Sequence, residues 1–234
     1  MHALFRTLRL GSLAMALAAP AAGRAAGDQG FVPLFPADGS PAGWTVRQWD
    51  DVSREADGAW TVRDGVLIGD QPRGTWLMSD RQYGDFELRF EFKLGPLGNS
   101  GLALRAPMNG DPAFDGMELQ MADVRYNPAA KDSELAGGLY RAVAPRRQLY
   151  QPEAWNRYEL KLQGPRFTAK LNGELIHDID LSQQTEPIQR HDGTDAPPLK
   201  DRPRRGHIGF QNLSRGEGEE GRVLIRGTEI RPLD

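Results

Sequence analysis

The sequence predicts an all-β protein, an antiparallel sandwich or barrel, and three observations carry that prediction. Apolar and polar residues alternate with a period of two over several segments. Asp-Gly and Asn-Gly dipeptides separate pairs of such segments. Beyond the N-terminal region, no stretch sustains a 3.6-residue period with helix caps.

The clearest strand runs from Phe86 to Leu94. Phe86, Leu88, Phe90, Phe92 and Leu94 fall on one side, and Glu87, Arg89, Glu91 and Lys93 on the other. That is the pattern of a strand with one buried and one solvated face. Trp60–Arg63 and Val66–Ile68 flank Asp64-Gly65, and Phe167–Leu171 and Glu174–Ile179 flank Asn172-Gly173. Both dipeptides tolerate the positive φ angles of a type I′ hairpin. Further strands are expected at Thr75–Ser79, Gly101–Arg105, Met117–Met121, Gly137–Tyr140, Tyr158–Leu162, His207–Gln211 and Arg222–Ile230. Gln183–Arg205 is polar and holds Pro187, Pro197, Pro198 and Pro203, so it reads as a long surface loop of the kind that lines sites. No repeat or linker divides the chain, and residues 28–234 are expected to form one domain.

The first residues read differently. Arg6 and Arg9 precede a short apolar run, Leu10 to Ala19, and small residues follow around Ala21 to Ala26. This is the order of a cleavable signal peptide, residues 1–25, with cleavage near Ala25 or Ala26, and the run is too short to span a bilayer. An exported protein, periplasmic or secreted, is expected. The chain has no Cys, so neither disulfides nor a cysteine-linked lipid anchor is available. Loss of Arg6, Arg9 and Arg24 with the leader moves the net charge from −3 to −6. A mildly acidic, interspersed surface argues against nucleic acid and anionic membranes as partners, and no other segment is apolar enough to insert.

One strand stands out for its polarity. In Gly116-Met-Glu-Leu-Gln-Met-Ala-Asp123, alternation sends Met117, Leu119 and Met121 to the core and puts Glu118, Gln120 and Ala122 on the other face. Asn99, Gly101, Ala103 and Arg105 share a face in the neighbouring candidate, as do His207, Gly209 and Gln211 in another, and Tyr140 follows a glycine pair. A face of Glu, Gln, Asn, Arg, His and Tyr separated by Gly and Ala leaves room for a ligand needing many hydrogen bonds, as a sugar does. Trp44, Trp60, Trp76 and Trp155 are candidates for stacking on a sugar or for the core. His177, His191 and His207 lack zinc spacing, so no metal site is assigned and no cofactor is expected; a calcium-type ion held by loop oxygens stays open. There is no nucleophile elbow or phosphate loop.

Several motifs occur in order: Trp60-x-Val-x-Asp-Gly-x-Leu67, Tyr83-Gly-Asp-Phe-Glu-Leu88, Gly98-Asn-Ser-Gly101 with Arg105, and Glu118-Leu-Gln with Asp123. Gly138-Leu-Tyr140, Trp155-Asn156, Leu171-Asn-Gly173 and Gly206-His-Ile-Gly-Phe-Gln211 follow. From Phe31 to Leu233 the ordered set resembles the 3-keto-disaccharide hydrolase domain family. The resemblance implies a concanavalin/laminarinase-like jelly roll and cleavage of glycosides oxidised to a ketone at C3. Such a ketone acidifies the C2 proton; a base removes it, and the enolate expels the C1 aglycone, by elimination with or without later hydration. The resemblance makes Glu118 the candidate base, Arg105 with Gln120 or His207 the candidate oxyanion stabilisers, and Tyr140 a proton donor. It makes Asn99, Asp123 and Gln211 substrate-binding residues. It also implies an oxidoreductase that supplies the 3-keto sugar upstream. The segment after Gln211, Asn-Leu-Ser-Arg-Gly-Glu-Gly-Glu-Glu-Gly, is longer than the short His/Gly turn common in the family.

Two other readings stand beside this one. A carbohydrate-binding, lectin-like module of the same fold would need hydrogen bonds at Glu118 but no titrating base. An ordinary glucanase would want a second carboxylate two or four residues from Glu118, where Gln120 and Ala122 stand.

Overall fold

The computed structural model describes residues 29–58, 60–69, 72–216 and 218–234; the expected leader lies outside them. Its strands are β1 (Val32–Pro33), β2 (Trp44–Gln48), β3 (Trp60–Arg63), β4 (Val66–Gly69) and β5 (Thr75–Tyr83). Then come β6 (Phe86–Leu94), β7 (Asn99–Ala106), β8 (Met117–Ala122), β9 (Asn156–Gln163) and β10 (Arg166–Leu171). The last are β11 (Glu174–Asp180), β12 (Ile188–Gln189), β13 (Asp195–Ala196), β14 (Gly206–Asn212) and β15 (Val223–Pro232). One short helix, α1 (Pro112–Asp115), joins β7 to β8.

These strands form an antiparallel jelly-roll sandwich. An eight-stranded sheet runs β11-β10-β9-β6-β15-β4-β3, with β1 also on β15, and a five-stranded sheet runs β2-β5-β14-β7-β8. The predicted turns are as the residues require: Asp64 and Gly65 take φ of 51° and 74°, and Asn172 and Gly173 take 52° and 86°. Strand β6 alternates buried and half-buried along its length. Its Phe90 meets Phe210 of β14 edge-on at 5.4 Å, and Phe92 stacks on Tyr158 at 4.9 Å, so the two sheets close on one aromatic core. Each of these fully buried rings stabilises the fold by about 1.5–3 kcal/mol. The outer face of the large sheet is a lattice of ion pairs, among them Arg89–Glu229 at 2.6 Å and Arg226–Glu91 at 2.7 Å. Among the described residues, no helix is long and apolar enough to cross a membrane.

The five-stranded sheet differs from the larger one, whose outer face is solvated. Strands β7, β8 and β14 are buried on both faces. One reason is a second, smaller apolar cluster of Val52, Trp76, Met78, Ala103 and Ala106 on the face away from the main core. The segment after β2 folds over it: Val52 N–H donates to Gly110 O (2.9 Å) and Trp76 Nε1 donates to Trp49 O (3.1 Å). The polar face of Glu118 and Gln120 is therefore roofed rather than open to solvent.

Gly137–Tyr140 is not a strand. It runs along the edge of β8, where Gln120 N–H donates to Gly138 O (2.8 Å) and Tyr140 N–H to Glu118 O (2.9 Å). Positive φ at Gly137 (99°) and at Arg141 (56°) curls the chain before a regular ladder can form. Gln183–Arg205 is more ordered than a loop. It folds as the β12–β13 hairpin and a 3₁₀ turn at Leu199–Asp201, pinned by buried Ile188, Ala196 and Leu199. Buried Arg202 fixes its end, donating to Ala113 O (3.0 Å), Gly116 O (2.7 Å) and Pro197 O (2.9 Å).

Candidate functional site

Alternation and register bring the predicted polar residues together. Glu118 on β8 lies beside Ala103 on β7, and Gln120 beside Gly101. Ala103 lies beside Gly209 of β14, and Gln211, two residues on, projects to the same face. Glu118, Gln120, Asn99, Gln211 and Tyr140 all line one niche of about 30 Å³. Asn99 and Tyr140 also line the adjoining cleft of about 470 Å³, which Arg73, Tyr126 and Arg141 line as well. The niche has room for one water-sized group and the cleft for sugar rings.

Glu118 is the anomaly at the floor. Its side chain is 3% exposed and Oε1 has no hydrogen-bond partner. Burial pushes its carboxyl well above the usual carboxylate range, and the charge of Asp111 adds to the shift. An unpaired buried carboxylate costs several kcal/mol when ionised, so this residue is a burden to the fold. Asn99 Oδ1 is likewise buried without a partner. Gln120 turns Oε1 back to accept from Met121 N–H (2.8 Å), and the residue also lines the niche. Tyr140 OH stands 3.4 Å from His191 Nε2. Burial, then the charge of Glu118, pushes the Tyr140 hydroxyl up.

Three of the predicted residues serve elsewhere. Arg105 takes φ of 49°, which breaks the alternation of β7 and turns its side chain away from Glu118. The buried guanidinium donates to Gly84 O (2.7 Å) and Gly164 O (2.9 Å) and pairs with Asp85 at 2.8 Å, tying β7 to the β5–β6 link and the β9–β10 turn. His207 sits next to a register shift in β14. Its Nδ1 lies 2.7 Å from Ser79 O and its Nε2 3.2 Å from Gln82 Nε2, so both ring nitrogens are engaged within the small sheet. Asp123 borders a second small recess, yet its oxygens are engaged by Arg125 (2.8 Å to each) and by Tyr150 OH (3.0 Å). These groups hold the Asp123 carboxyl below its usual range against the opposing effect of burial, the largest single influence.

Three polar or aromatic residues of the niche were not singled out for it from the sequence. Trp49 follows β2 and His191 sits between β12 and β13; their rings are 6.4 Å apart, and His191 meets Phe114 edge-on at 5.3 Å. Asp111 caps α1, with Oδ1 accepting from Ala113 N–H (3.0 Å). Asp-Pro at 111–112 is a helix-start signal that would have marked the turn, though not its place over Glu118. Burial foremost, with the charge of Asp115 contributing, pushes Asp111 up to about 7. Among the described residues, no group of three or more His, Asp or Glu is arranged to hold a metal ion. Trp60 and Trp76 are core residues, 4% and 0% exposed.

The fold is a jelly-roll sandwich with a polar, roofed cleft on its smaller sheet. The chain belongs to the 3-keto-alpha-glucoside-1,2-lyase-like domain family, whose model matches residues 30–231. A candidate glycosyl hydrolase from Parabacteroides distasonis ATCC 8503 is 24% identical, with 87% of this chain and 99% of that one covered and a TM-score of 0.68. A second from the same organism is 21% identical over 89% and 96% of the two chains, with a TM-score of 0.66. These likenesses bear on the fold. No curated protein sequence matches the chain at a significant level.

Proposed function

We propose that the protein cleaves 3-keto-glycosides, with Glu118 as the base that removes the C2 proton. The observation that carries this reading is the buried, unpartnered carboxylate at the floor of the niche. A binding module gains little from such a group, whereas a base needs a raised proton affinity and a dry setting. The ketone at C3 acidifies the C2 proton, Glu118 takes it, and the enolate oxygen receives hydrogen bonds from the Gln120 amide and Tyr140 hydroxyl. Collapse of the enolate then expels the C1 aglycone. Asn99 and Gln211 bind hydroxyls of the ring, and Trp49 offers it an aromatic wall. Arg105 and His207 leave this scheme for structural roles, and Asp123 becomes a support for Tyr150.

In this reading the protein is exported, and an oxidoreductase acting upstream supplies the ketone. Aglycone release from a 3-keto-disaccharide, with and without chelator, tests the reading. Turnover by the wild type and its loss in Glu118→Gln support it. Binding without any turnover would instead favour a sugar-binding module.

A further inference from the structure

The family motifs place one carboxylate in the niche; the fold places two. Glu118 comes from the sheet and Asp111 from the loop that leaves β7, and both line the same small recess. Asp111 is held there from several sides. Its backbone N–H donates to Asp115 Oδ2 (3.0 Å), and Asp115 pairs with Arg190 of the β12–β13 hairpin at 2.6 Å. The preceding Gly110 donates to Asp51 Oδ1 (3.1 Å) and accepts from Val52 N–H (2.9 Å). Oδ1 of Asp111 is used by the cap, and Oδ2 has no hydrogen bond among the described residues. The recess also holds two buried acceptors without partners, Glu118 Oε1 and Asn99 Oδ1, which marks it as built for a ligand that brings donors.

Building on the reading of function above, we propose that Asp111 is the second catalytic residue, the acid that protonates the departing aglycone oxygen. Glu118 takes the C2 proton to give the enolate; as the enolate collapses and the C1–O bond breaks, the aglycone oxygen takes the proton of the Asp111 carboxyl. The products are the unsaturated keto sugar and the free alcohol. Transfer of the proton from Glu118 to Asp111, directly or through water, restores the starting state. The charged and titratable groups facing Asp111 are Glu118, Asp115, Arg190 and Asp50, and the balance favours a proton held near neutrality. Tyr140 is pushed up by burial and holds its proton more tightly, while His191, pulled down chiefly by burial, stands at the exposed rim without one to spare.

Asp111→Asn and Asp111→Ser separate this role from the cap, because both residues cap helices as well as Asp does. The measurement is kcat/KM on two substrates, an alkyl 3-keto-glucoside and 4-nitrophenyl 3-keto-glucoside, whose leaving group needs no acid. Both variants are expected to lose about 10²–10⁴-fold on the alkyl substrate and less than about tenfold on the nitrophenyl one. Equal losses on both, or no loss on either, with an active wild type would overturn the role of Asp111 alone. A wild type inactive on both substrates would overturn the reading of function and this role with it.

Discussion

The carboxylate of Glu118 lies across Gly101 of the neighbouring strand, in the space where a methyl group on that residue would sit. The small residue is therefore part of the site, and the predicted gap between polar side chains has a definite occupant. Gly101→Ala keeps a permitted backbone and forces the carboxylate off its position. We expect kcat to fall by about 10²-fold or more, as for other small misplacements of a reacting group. The cost to stability should stay near 1–3 kcal/mol, about the size of ordinary overpacking. Kinetics beside thermal melting check this. Unchanged kcat would mean that the carboxylate has freedom to spare.

The buried proton of Glu118 should show in stability. Its folded-state pKa is raised, so the folded protein holds the proton more tightly than the unfolded chain does. This contribution is complete below the unfolded value of about 4.3 and is lost as pH rises through the folded value. Glu118→Gln carries no such dependence. The variant should melt close to the wild type near pH 4 and above it at pH 7–8, with about 2–4 °C for each kcal/mol relieved. Parallel melting curves across pH would contradict the raised affinity.

Arg105 is expected to matter for folding and not for chemistry. Arg105→Met takes the cation from beside Asp85 and the donor from two carbonyls and should cost about 3–5 kcal/mol. Melting and kcat at low temperature check this together. A fall in kcat for folded protein with little change in melting would return Arg105 to the site.

What the sequence made legible follows from what alternation can encode. The period of two in Phe86–Leu94 and the turns at Asp64-Gly65 and Asn172-Gly173 specify local geometry, and the sheets obey them. The same rule put Glu118, Gln120, Asn99 and Gln211 on one face, and they line one niche. It failed for Arg105 because a single positive φ reverses the side-chain order, and for His207 because the register shifts beside it. Asp111, Trp49 and His191 arrive on segments far apart in the chain, and no local period announces which loop will roof which strand. Even the degree of burial at Glu118 depends on that roof.

Glu118 acting as a base on an oxidised sugar is open to a simple test. The direct measurement is aglycone release from a 3-keto-disaccharide by the wild type and by Glu118→Gln, alongside binding of the same ligand. With Glu118 as the base, turnover by the wild type, a loss of about 10²–10⁴-fold in the variant, and affinity held within about tenfold are expected. Equal turnover by the two proteins, or none by the wild type, would contradict it.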